Sequence, residues 1–412
     1  MPERRPAVEI ADRVYSVGVA DWNLRDFHGF STDRGVTYNA FLVVGEKTAL
    51  VDAVKDVYAD ELLANVAAIT DPSSVDYVVC NHAEPDHAGA LGAVMKSLPN
   101  AVLVCNRRGR EALARHFDTS GWKFQIVAGG EAVSLGSRSL RFIDTPMVHW
   151  PESMFTYLPE EKLLFSMDAF GQHYCTSQPF DDQVVLSTAI EEAKSYYANI
   201  VMPYGKQVAD LLEKLGELEI NVIAPAHGVI WRSHVARIVE AYRHWAVCRP
   251  RRKVLVVYDT MWGSTAQMAR TIHEGASLPG VEAVLISIRN ASLTRLATEV
   301  IDAAAVAFGS STLHRGMMPL AAAVLSYWNG LRPVGKAAFA FGSYGWGKGG
   351  PDAVDDYLEA MKWEILRDPL KAQYRPSPEI LNECRRAGRM LAEKAIEMAP
   401  DRQLGKNLCI DP

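Results

Sequence analysis

The 412-residue chain has few cysteines, no CxxC pair and no long hydrophobic run. Its six scattered cysteines argue against a zinc ribbon, a rubredoxin-type iron site and a thioredoxin-like motif. No run approaches the roughly 18 apolar residues of a membrane helix, and the N-terminus lacks the apolar core of a secretion signal. A net charge of −6 gives no reason to expect a nucleic-acid partner. We therefore expect a cytoplasmic protein that binds neither membrane nor nucleic acid.

The length of the chain exceeds one typical core, so we expect two domains of roughly 150 to 250 residues each. The clearest break is HWAVCRPRRKVLVVYDT, where a helical pattern ends and a basic, proline-containing segment precedes an apolar run. We predict domains over residues 1–250 and 251–395, followed by a C-terminal tail over 396–412.

Both halves alternate strand-length apolar runs with helical segments. The first half contains TYNAFLVV, KTALVDA, VDYVVCN, AVLVCN, LRFIDTP, KLLFSMD and NVIAPAH. This pattern predicts a layered α/β domain, with an early hairpin at residues 45–47. The runs KVLVVYD, EAVLISI, AAAVAFG and KAAFAFG in the second half are almost continuously apolar, which is typical of buried parallel strands. We therefore predict a doubly wound parallel sheet there.

The segment CNHAEPDHAG places four ionisable side chains directly after a predicted strand. These are His82, Glu84, Asp86 and His87. Three further candidates, His149, Asp168 and His227, also follow predicted strands, so a sandwich of such strands could gather all seven at one rim. A single histidine or aspartate at a strand end is more often an ordinary surface or core-edge residue. A dense cluster is costly to hold together without a cation, which favours a metal site.

The order H-x-E-x-D-H, followed by later His, Asp and His residues, resembles the flavodiiron (A-type flavoprotein) family. Hydrolases of the related metallo-β-lactamase fold carry H-x-H-x-D-H, so Glu84 is the informative departure. Carboxylates are harder donors than imidazole and suit iron. The resemblance implies that His82, Glu84 and His149 hold one iron, that Asp86, His87 and His227 hold the other, and that Asp168 bridges them. It also suggests roles near the metals for His173 and for Tyr196 or Tyr197, with Tyr197 as our choice, although packing explains these three residues equally well.

Three loops in the second half predict a flavin site. The segment VLVVYDTMWGSTAQMA is a strand, a hydroxyl-rich loop and a helix start without Lys or Arg, so backbone N–H groups and hydroxyls would bind a phosphate. GSSTLHRGMMP and FGSYGWGKGG follow two further strands of the same sheet, and all three loops resemble those of a flavodoxin-like FMN domain. The FMN candidates are Thr260, Met261, Trp262, Gly263, Ser264, Thr265, Ser311, Thr312, Leu313, His314, Arg315, Gly316, Ser343, Tyr344, Gly345, Trp346 and Gly347.

The resemblance extends over essentially the whole chain and implies the minimal two-domain form of the family. The expected fold is an N-terminal metallo-β-lactamase-like αββα sandwich followed by a C-terminal flavodoxin-like sheet. The expected cofactors are two non-haem irons and one FMN per chain. The implied reaction is reduction of dioxygen to water, of nitric oxide to nitrous oxide, or of both. Rubredoxin, a flavin reductase or a reduced deazaflavin coenzyme would supply the electrons, and the chain would form a head-to-tail homodimer or a dimer of dimers.

Two alternatives to this reading stay open from the sequence. The first is a metal-dependent hydrolase of the lactamase fold that is fused to an electron-carrier flavodoxin domain. The second is a non-catalytic electron carrier that uses FMN alone. Glu84 counts against the first alternative. The second would be supported if Asp168→Ala or His149→Ala left all measured activity unchanged.

Overall fold

The computed structural model describes residues 5–400. The chain divides between Arg243 and His244 into two compact units. The domain limits given above stay predictions. The last helix reaches Met398, so it takes in the start of the predicted tail, and residues 401–412 lie outside the described residues.

Two sheets form the centre of the first unit. Its strands are β1 (Val8–Ala11), β2 (Val14–Ser16), β3 (Val19–Asp21), β4 (Asp26–Phe27), β5 (Phe30–Ser31), β6 (Val36–Tyr38), β7 (Phe41–Val44), β8 (Thr48–Val51), β9 (Val75–Val79), β10 (Val102–Cys105), β11 (Phe124–Ile126), β12 (Ala132–Ser134), β13 (Ser139–Asp144), β14 (Met154–Leu158), β15 (Leu163–Met167) and β16 (Val222–Pro225). One sheet has the order β1-β2-β7-β8-β9-β10-β11 and the other has the order β12-β13-β14-β15-β16.

Helices connect or follow these strands. They are α1 (Ala59–Ala67), α2 (Pro85–Ala88), α3 (Leu91–Ser97), α4 (Arg107–His116), α5 (Leu186–Tyr196), α6 (Gly205–Leu215) and α7 (Val235–Ala246), which spans the division between the units. Short 3-10 helices lie at Asp56–Tyr58, Pro72–Ser74, Pro159–Glu161, Asp181–Gln183 and Met202–Tyr204, and one π-helical turn at Tyr197–Val201.

The alternation of side chains along the strands explains the layers. In β7, Phe41 and Val43 join an apolar cluster that contains residues of both sheets, whereas Leu42 joins a cluster shared with α1, α3 and α4. Successive side chains of a strand point to opposite faces, so one face packs on the second sheet and the other on helices. Strand β15 is buried at every position, as a strand covered on both faces must be. The predicted αββα sandwich is confirmed.

The hairpin at residues 45–47 is confirmed, because β7 and β8 pair antiparallel on either side of it. The run TYNAFLVV, however, is two strands, β6 and β7, interrupted at Asn39. The amide of Asn39 donates hydrogen bonds to the carbonyls of Pro225 and Gly228, and its backbone N–H donates to Ala226. Asn39 therefore leaves the sheet to hold the loop after β16.

The second unit contains a parallel sheet of the order β18-β17-β19-β20-β21, with β22 also paired to β20. Its elements are β17 (Lys253–Asp259), α8 (Ser264–Ala276), β18 (Glu282–Ser287), a 3-10 turn (Ile288–Asn290), α9 (Leu293–Val300), β19 (Ala305–Ser310), α10 (Pro319–Leu331), β20 (Ala337–Tyr344), α11 (Gly349–Ala360), β21 (Glu364–Ile365), β22 (Leu370–Gln373) and α12 (Pro378–Met398).

Both faces of this sheet are apolar, which explains the continuous hydrophobic runs in the sequence. Leu255 and Val257 of β17 join a cluster with α9, α10 and α11, while Val254 and Val256 join another with α8 and α12. Helices therefore cover both faces, and the strand order reverses at β17. The predicted doubly wound, flavodoxin-like sheet is confirmed. Among residues 5–400, no helix combines the length and the apolar character needed to cross a bilayer.

Candidate metal centre and flavin site

The predicted metal ligands meet beyond the ends of four strands of the first unit. His82 and Glu84 lie in the loop after β9, and the short helix α2 carries Asp86 and His87. The remaining three are His149 in the loop between β13 and β14, Asp168 directly after β15, and His227 shortly after β16. The structure therefore brings all seven candidates to one place.

The seven side chains form two groups, each with its ligand atoms within 4.8 Å of one another. The first group contains His82, Glu84, His149 and Asp168. The second contains Asp86, His87 and His227. This division is the one that the family resemblance implies, and His87 lies inside the second group.

Asp168 faces both groups with different oxygens. Its Oδ2 lies 3.5 Å from Nε2 of His82 and 3.4 Å from Nε2 of His149. Its Oδ1 lies 3.1 Å from Nε2 of His87 and 3.5 Å from Nε2 of His227. One carboxylate thus stands between two sets of ligands, which is the arrangement of a residue that bridges two cations.

Opposite charges dominate the electrostatics of this cluster. Burial alone would lower the pKa of His82 and His227, but neighbouring carboxylates outweigh it and raise these pKa values to about 9 and about 10. Burial would also raise the pKa of Glu84, yet hydrogen bonds from His149 and His82 hold it at about 2. The carboxylates of Asp86 and Asp168 likewise keep pKa values below their usual range, against burial, because histidines surround them. Without metal, protons on the histidines balance the carboxylates.

The residues present fit a pair of metal ions. Within the described residues, Oδ1 of Asp86, Nε2 of His87 and Oδ2 of Asp168 are buried and form no hydrogen bond. Buried polar atoms that form no hydrogen bond are costly, and each of these three is an atom type that coordinates metals. The donor set of four imidazoles and three carboxylates suits iron as well as other first-row divalent ions.

The sequence did not reveal the groups that orient two of the histidines. Nδ1 of His82 lies 2.7 Å from Oε1 of Glu152, and Nδ1 of His227 lies 2.7 Å from the backbone carbonyl of Thr37. Each bond directs Nε2 of the same ring toward the cluster. No local pattern marks Glu152 or Thr37, because the bonds connect segments that are distant in the chain.

His173 and Tyr197, the predicted catalytic residues, occupy different surroundings. The ring of His173 contacts the rings of His227, Tyr196 and Phe27, and burial lowers its pKa to about 3. Tyr197 packs edge-on against Tyr242. The hydroxyl that donates to Oδ1 of Asp168, at 2.7 Å, belongs to Tyr196, the other tyrosine that the sequence suggested.

The three predicted flavin loops meet through one hydroxyl of the second unit. Oγ1 of Thr265 lies 2.9 Å from Oγ of Ser311 and 2.8 Å from Oγ of Ser343, and it accepts the backbone N–H of Ser343. Thr265 lies at the start of α8 after β17, Ser311 follows β19, and Ser343 lies near the carboxyl end of β20, so Thr265 joins the three segments at the carboxyl edge of the sheet. Thr265 is fully buried, so water does not compete for its hydroxyl, and the hydroxyl links the loops.

Glycines let these loops approach one another closely. A Cβ at Gly342 would lie 1.8 Å from the carbonyl oxygen of Ser310, and one at Gly349 would lie 1.9 Å from that of Arg315. His314 and Arg315 form the tip of a tight turn with φ of 50° and 66°, closed by paired hydrogen bonds between Leu313 and Gly316. The middle loop is therefore a fixed hairpin-like turn.

The flavin loops carry exposed aromatic rings, and the first loop also has buried polar atoms that form no hydrogen bond. Trp262 and Trp346 are 92% and 94% exposed. Within the described residues, Oγ1 of Thr260 and Oδ2 of Asp259 are buried without a hydrogen bond. The other oxygen of Asp259 accepts hydrogen bonds from the N–H of Thr260 and from Nε of Arg289, a cation near the first loop that sequence reasoning missed.

Comparison with known proteins decides the family. Residues 36–228 match the ODP family beta lactamase model, and residues 256–388 match the flavodoxin model. A nitric oxide reductase of Moorella thermoacetica is 44% identical over 395 residues, which cover 95% of this chain and 99% of that protein. The chain belongs to the flavodiiron protein family.

Solved structures agree with this assignment. The flavodiiron protein of Giardia intestinalis superposes with a TM-score of 0.93 at 36% identity, covering 99% of this chain and 100% of the other. The rubredoxin oxygen:oxidoreductase of Desulfovibrio gigas also gives a TM-score of 0.93, at 37% identity, covering 95% and 99%. This flavodiiron protein is therefore an oxidoreductase, which disfavours the hydrolase alternative.

Metal binding by this flavodiiron protein should release protons at neutral pH. The pKa values of His82 and His227, about 9 and about 10, mean that both rings carry protons before a metal arrives. A metal must displace those protons, so apparent affinity should rise with pH and level off as pH passes roughly 9 to 10. Adding Fe²⁺ to metal-free protein in weak buffer, with a pH indicator, measures the release. Equal proton release at pH 7 and pH 10 would contradict these pKa shifts.

Loss of the Thr265 hydroxyl should weaken FMN binding. Thr265→Val keeps the side-chain shape but removes bonds to Ser311 and Ser343, each worth about 1 kcal/mol, so the Kd for FMN should rise by up to about 30-fold. Quenching of FMN fluorescence by flavin-free protein measures the Kd. Thr271→Val is the matched control, because that hydroxyl of the same helix α8 donates to the carbonyl of Gln267. Equal effects of both variants would refute a specific linking role.

Proposed function

We propose that this chain reduces dioxygen to water, nitric oxide to nitrous oxide, or both, at a non-haem diiron centre that receives electrons through FMN from an external donor. The position of Asp168 between the two ligand groups is the observation that carries the proposal. A site for one metal ion would need only one of these sets of histidines. A buried carboxylate whose two oxygens face separate sets is expected where two metal ions bind.

The proposed ligands follow the two groups. His82, Glu84 and His149 would hold one iron, while Asp86, His87 and His227 would hold the other. Asp168 would bridge them. Three carboxylates among seven ligands favour a redox-active iron pair over the histidine-rich sphere of zinc hydrolases.

The bound cofactors would supply the redox chemistry: iron changes oxidation state by one electron and leaves coordination positions open to a small gas, and FMN transfers electrons singly or in pairs. The chain supplies position and protection. Tyr196 keeps its proton on Oη, because burial and the neighbouring Asp168 raise its pKa well above the ordinary value. That hydroxyl fixes the bridging carboxylate through a 2.7 Å hydrogen bond.

His173 is a neutral neighbour of the ligands. Burial and the adjacent His227 lower its pKa to about 3, so its ring is uncharged at neutral pH. Nε2 of His173 is buried without a hydrogen bond among the described residues, which leaves it available to a small molecule beside the metals. We retain His173 as a proposed proton-handling residue. Tyr197 remains proposed from the family resemblance, and the Asp168 contact adds Tyr196.

The FMN would lie on the three loops that Thr265 links. Gly263, with φ of 86°, precedes helix α8, whose first N–H groups can bind the phosphate without a Lys or Arg in the loop. The proposed contacts are the residues of 260–265, 311–316 and 343–347 named above. Trp262 and Trp346, almost fully exposed, offer flat apolar surface to a flavin ring.

The names of two relatives support nitric oxide and dioxygen as substrates and rubredoxin as a donor. The Moorella thermoacetica relative is a nitric oxide reductase, and the Desulfovibrio gigas relative is a rubredoxin oxygen:oxidoreductase. We propose rubredoxin, a flavin reductase or a reduced deazaflavin coenzyme as the donor to this chain. Adding each donor anaerobically and following FMN absorbance would identify the one that reduces the protein.

Metal analysis combined with gas consumption tests the function. Protein purified without oxygen should contain about two irons and about one FMN per chain, as a diiron flavoprotein requires. After chemical reduction, it should consume dioxygen or nitric oxide faster than free FMN does. Titration against each gas separately would show which is preferred. Absence of iron, or a rate equal to that of free FMN, would refute the proposal.

We also propose a head-to-tail homodimer or a dimer of dimers, as the family resemblance implies. Such an assembly would let the flavin of one chain reduce the metal centre of another. Light scattering on purified protein gives the mass. Mixing a chain with a defective metal site and a chain with a defective flavin site should restore activity if electrons cross between chains. A fully active monomer would contradict this arrangement.

A further inference from the structure

One ligand histidine is held by a buried carboxylate. Nδ1 of His82 lies 2.7 Å from Oε1 of Glu152, and Nε2 of the same ring lies 3.2 Å from Oε2 of Glu84. His82 is fully buried and Glu152 is 5% exposed. When Nε2 of His82 binds a metal, the proton of the neutral ring resides on Nδ1, where the carboxylate of Glu152 accepts it.

Glu152 is itself fixed by contacts with the ligand loop and with the start of helix α4. Its Oε1 also accepts the backbone N–H of Ala83 at 3.2 Å, and its carbonyl accepts a 2.7 Å hydrogen bond from the amide of Asn106. Asn106 in turn caps helix α4 by accepting the N–H of Gly109. The start of α4 therefore holds the backbone of Glu152, while its carboxylate contacts His82 and Ala83 of the ligand loop.

The second ligand group is oriented differently. Nδ1 of His227 donates to the backbone carbonyl of Thr37, a neutral acceptor, at the same 2.7 Å distance. A charged acceptor makes a stronger hydrogen bond than a neutral one and makes the imidazole a stronger electron donor to its metal. The two metal positions thus differ in the group behind the ligand, as well as in the ligands.

We propose that Glu152 is a positioning residue that fixes the Nδ1–H tautomer of His82 and, through its charge, tightens the metal position formed by His82, Glu84 and His149 relative to the other. This inference rests on the metal centre of the proposed function. It predicts two inequivalent irons. The iron at His82 would be more strongly held because of Glu152, which does not touch it.

A purely structural role for Glu152 would have a different signature. If the carboxylate served only to join the ligand loop to α4, a neutral side chain of the same shape would preserve metal binding. Glu152→Gln makes this distinction, because Gln keeps the acceptor oxygen for Nδ1–H and loses the negative charge. Glu152→Asp keeps the charge and shortens the side chain by one methylene.

The test loads each anaerobic protein with ⁵⁷Fe²⁺ and records iron release to a ferrous chelator together with Mössbauer spectra. In Glu152→Gln, one phase of iron release should accelerate by roughly 10- to 100-fold, the usual cost of losing an outer partner of a ligand, while the other phase stays unchanged. The quadrupole splitting of one iron should shift. Glu152→Asp should fall between the wild type and Glu152→Gln.

Asp181→Asn provides a matched control. Asp181 is a fully buried carboxylate of the same unit that accepts the N–H groups of Arg232 and His234 just before α7. This variant should lower stability and leave both release phases and both Mössbauer doublets unchanged. Equal acceleration of both phases in Glu152→Gln, or unchanged spectra and release, would overturn the inference, as would faster release from Glu152→Asp than from Glu152→Gln.

The outcomes separate this inference from the proposed function. A wild-type protein that takes up no iron would refute the diiron proposal. Zn²⁺ would then serve as the probe: a 10- to 100-fold loss of affinity at one of two zinc positions in Glu152→Gln would still support the role of Glu152. Identical zinc affinities in the wild type and the variant would overturn it.

Discussion

Asp168→Asn should abolish most gas reduction and reduce the iron content to about one ion or fewer per chain, because an amide offers one ligand oxygen where the carboxylate offers two. Loss of an outer partner of a metal ligand typically costs about 10- to 100-fold, so loss of a shared ligand should cost more than about 100-fold in activity. Iron analysis and rates of dioxygen and nitric oxide consumption measure both effects.

The geometry around Asp168 gives the physical reason for this expectation. Both oxygens of Asp168 lie 3.1 to 3.5 Å from histidine nitrogens of the two ligand groups. The amide nitrogen of Asn would face one group with a donor instead of an acceptor. Asp181→Asn is the control, since it removes an equally buried charge that binds backbone N–H groups. Full iron content with full activity in Asp168→Asn would show that the residue does not bridge metals.

Glu84→His should lower iron retention and gas reduction by about tenfold or more and raise the zinc content, because it replaces a hard oxygen donor with the imidazole of zinc hydrolases. Oε2 of Glu84 lies 3.1 Å from Nε2 of His149 and 3.2 Å from Nε2 of His82. The change therefore exchanges a negative charge for a neutral ring within one ligand group. Metal analysis after expression with equal iron and zinc measures the preference.

The matched control for the added histidine is Glu160→His. Glu160 lies in the same unit and accepts a hydrogen bond from the hydroxyl of Ser139 on the surface. This variant should keep the iron content and the gas-reduction rates of the wild type. A Glu84→His protein with wild-type iron and activity would mean that the ligand set tolerates imidazole at this position, and that Glu84 does not set the choice of metal.

Some parts of this molecule follow from local sequence. β17 occupies the run KVLVVYD from end to end, because a strand buried on both faces must be apolar at nearly every position. The seven metal-ligand candidates could be selected because each follows a strand, and parallel strands end at a common edge. The glycine-rich third flavin loop was recognisable for the same reason. Several short strands in the first 31 residues were not predicted, since two- to four-residue strands carry too little periodicity.

Other parts depend on contacts between distant segments. His82 and Glu152 are 70 residues apart, and His227 and Thr37 are 190 apart. Asn39 breaks an apolar run because its amide binds carbonyls far along the chain. The choice between Tyr196 and Tyr197 depends on the direction of each ring at the junction of α5 and the π-helical turn. Spacing along the chain contains no information about such pairings.

The sequence by itself determined which side chains are candidates for binding metal, which loops are candidates for binding a flavin, and which sheets carry them. These properties follow from residue type and strand periodicity, which are local. The tertiary structure alone decided that Asp168 faces both ligand groups, that Thr265 joins the three flavin loops, and that Glu152 and Thr37 orient the histidines. Those features are distances and directions between separate segments, and packing of the folded chain sets them.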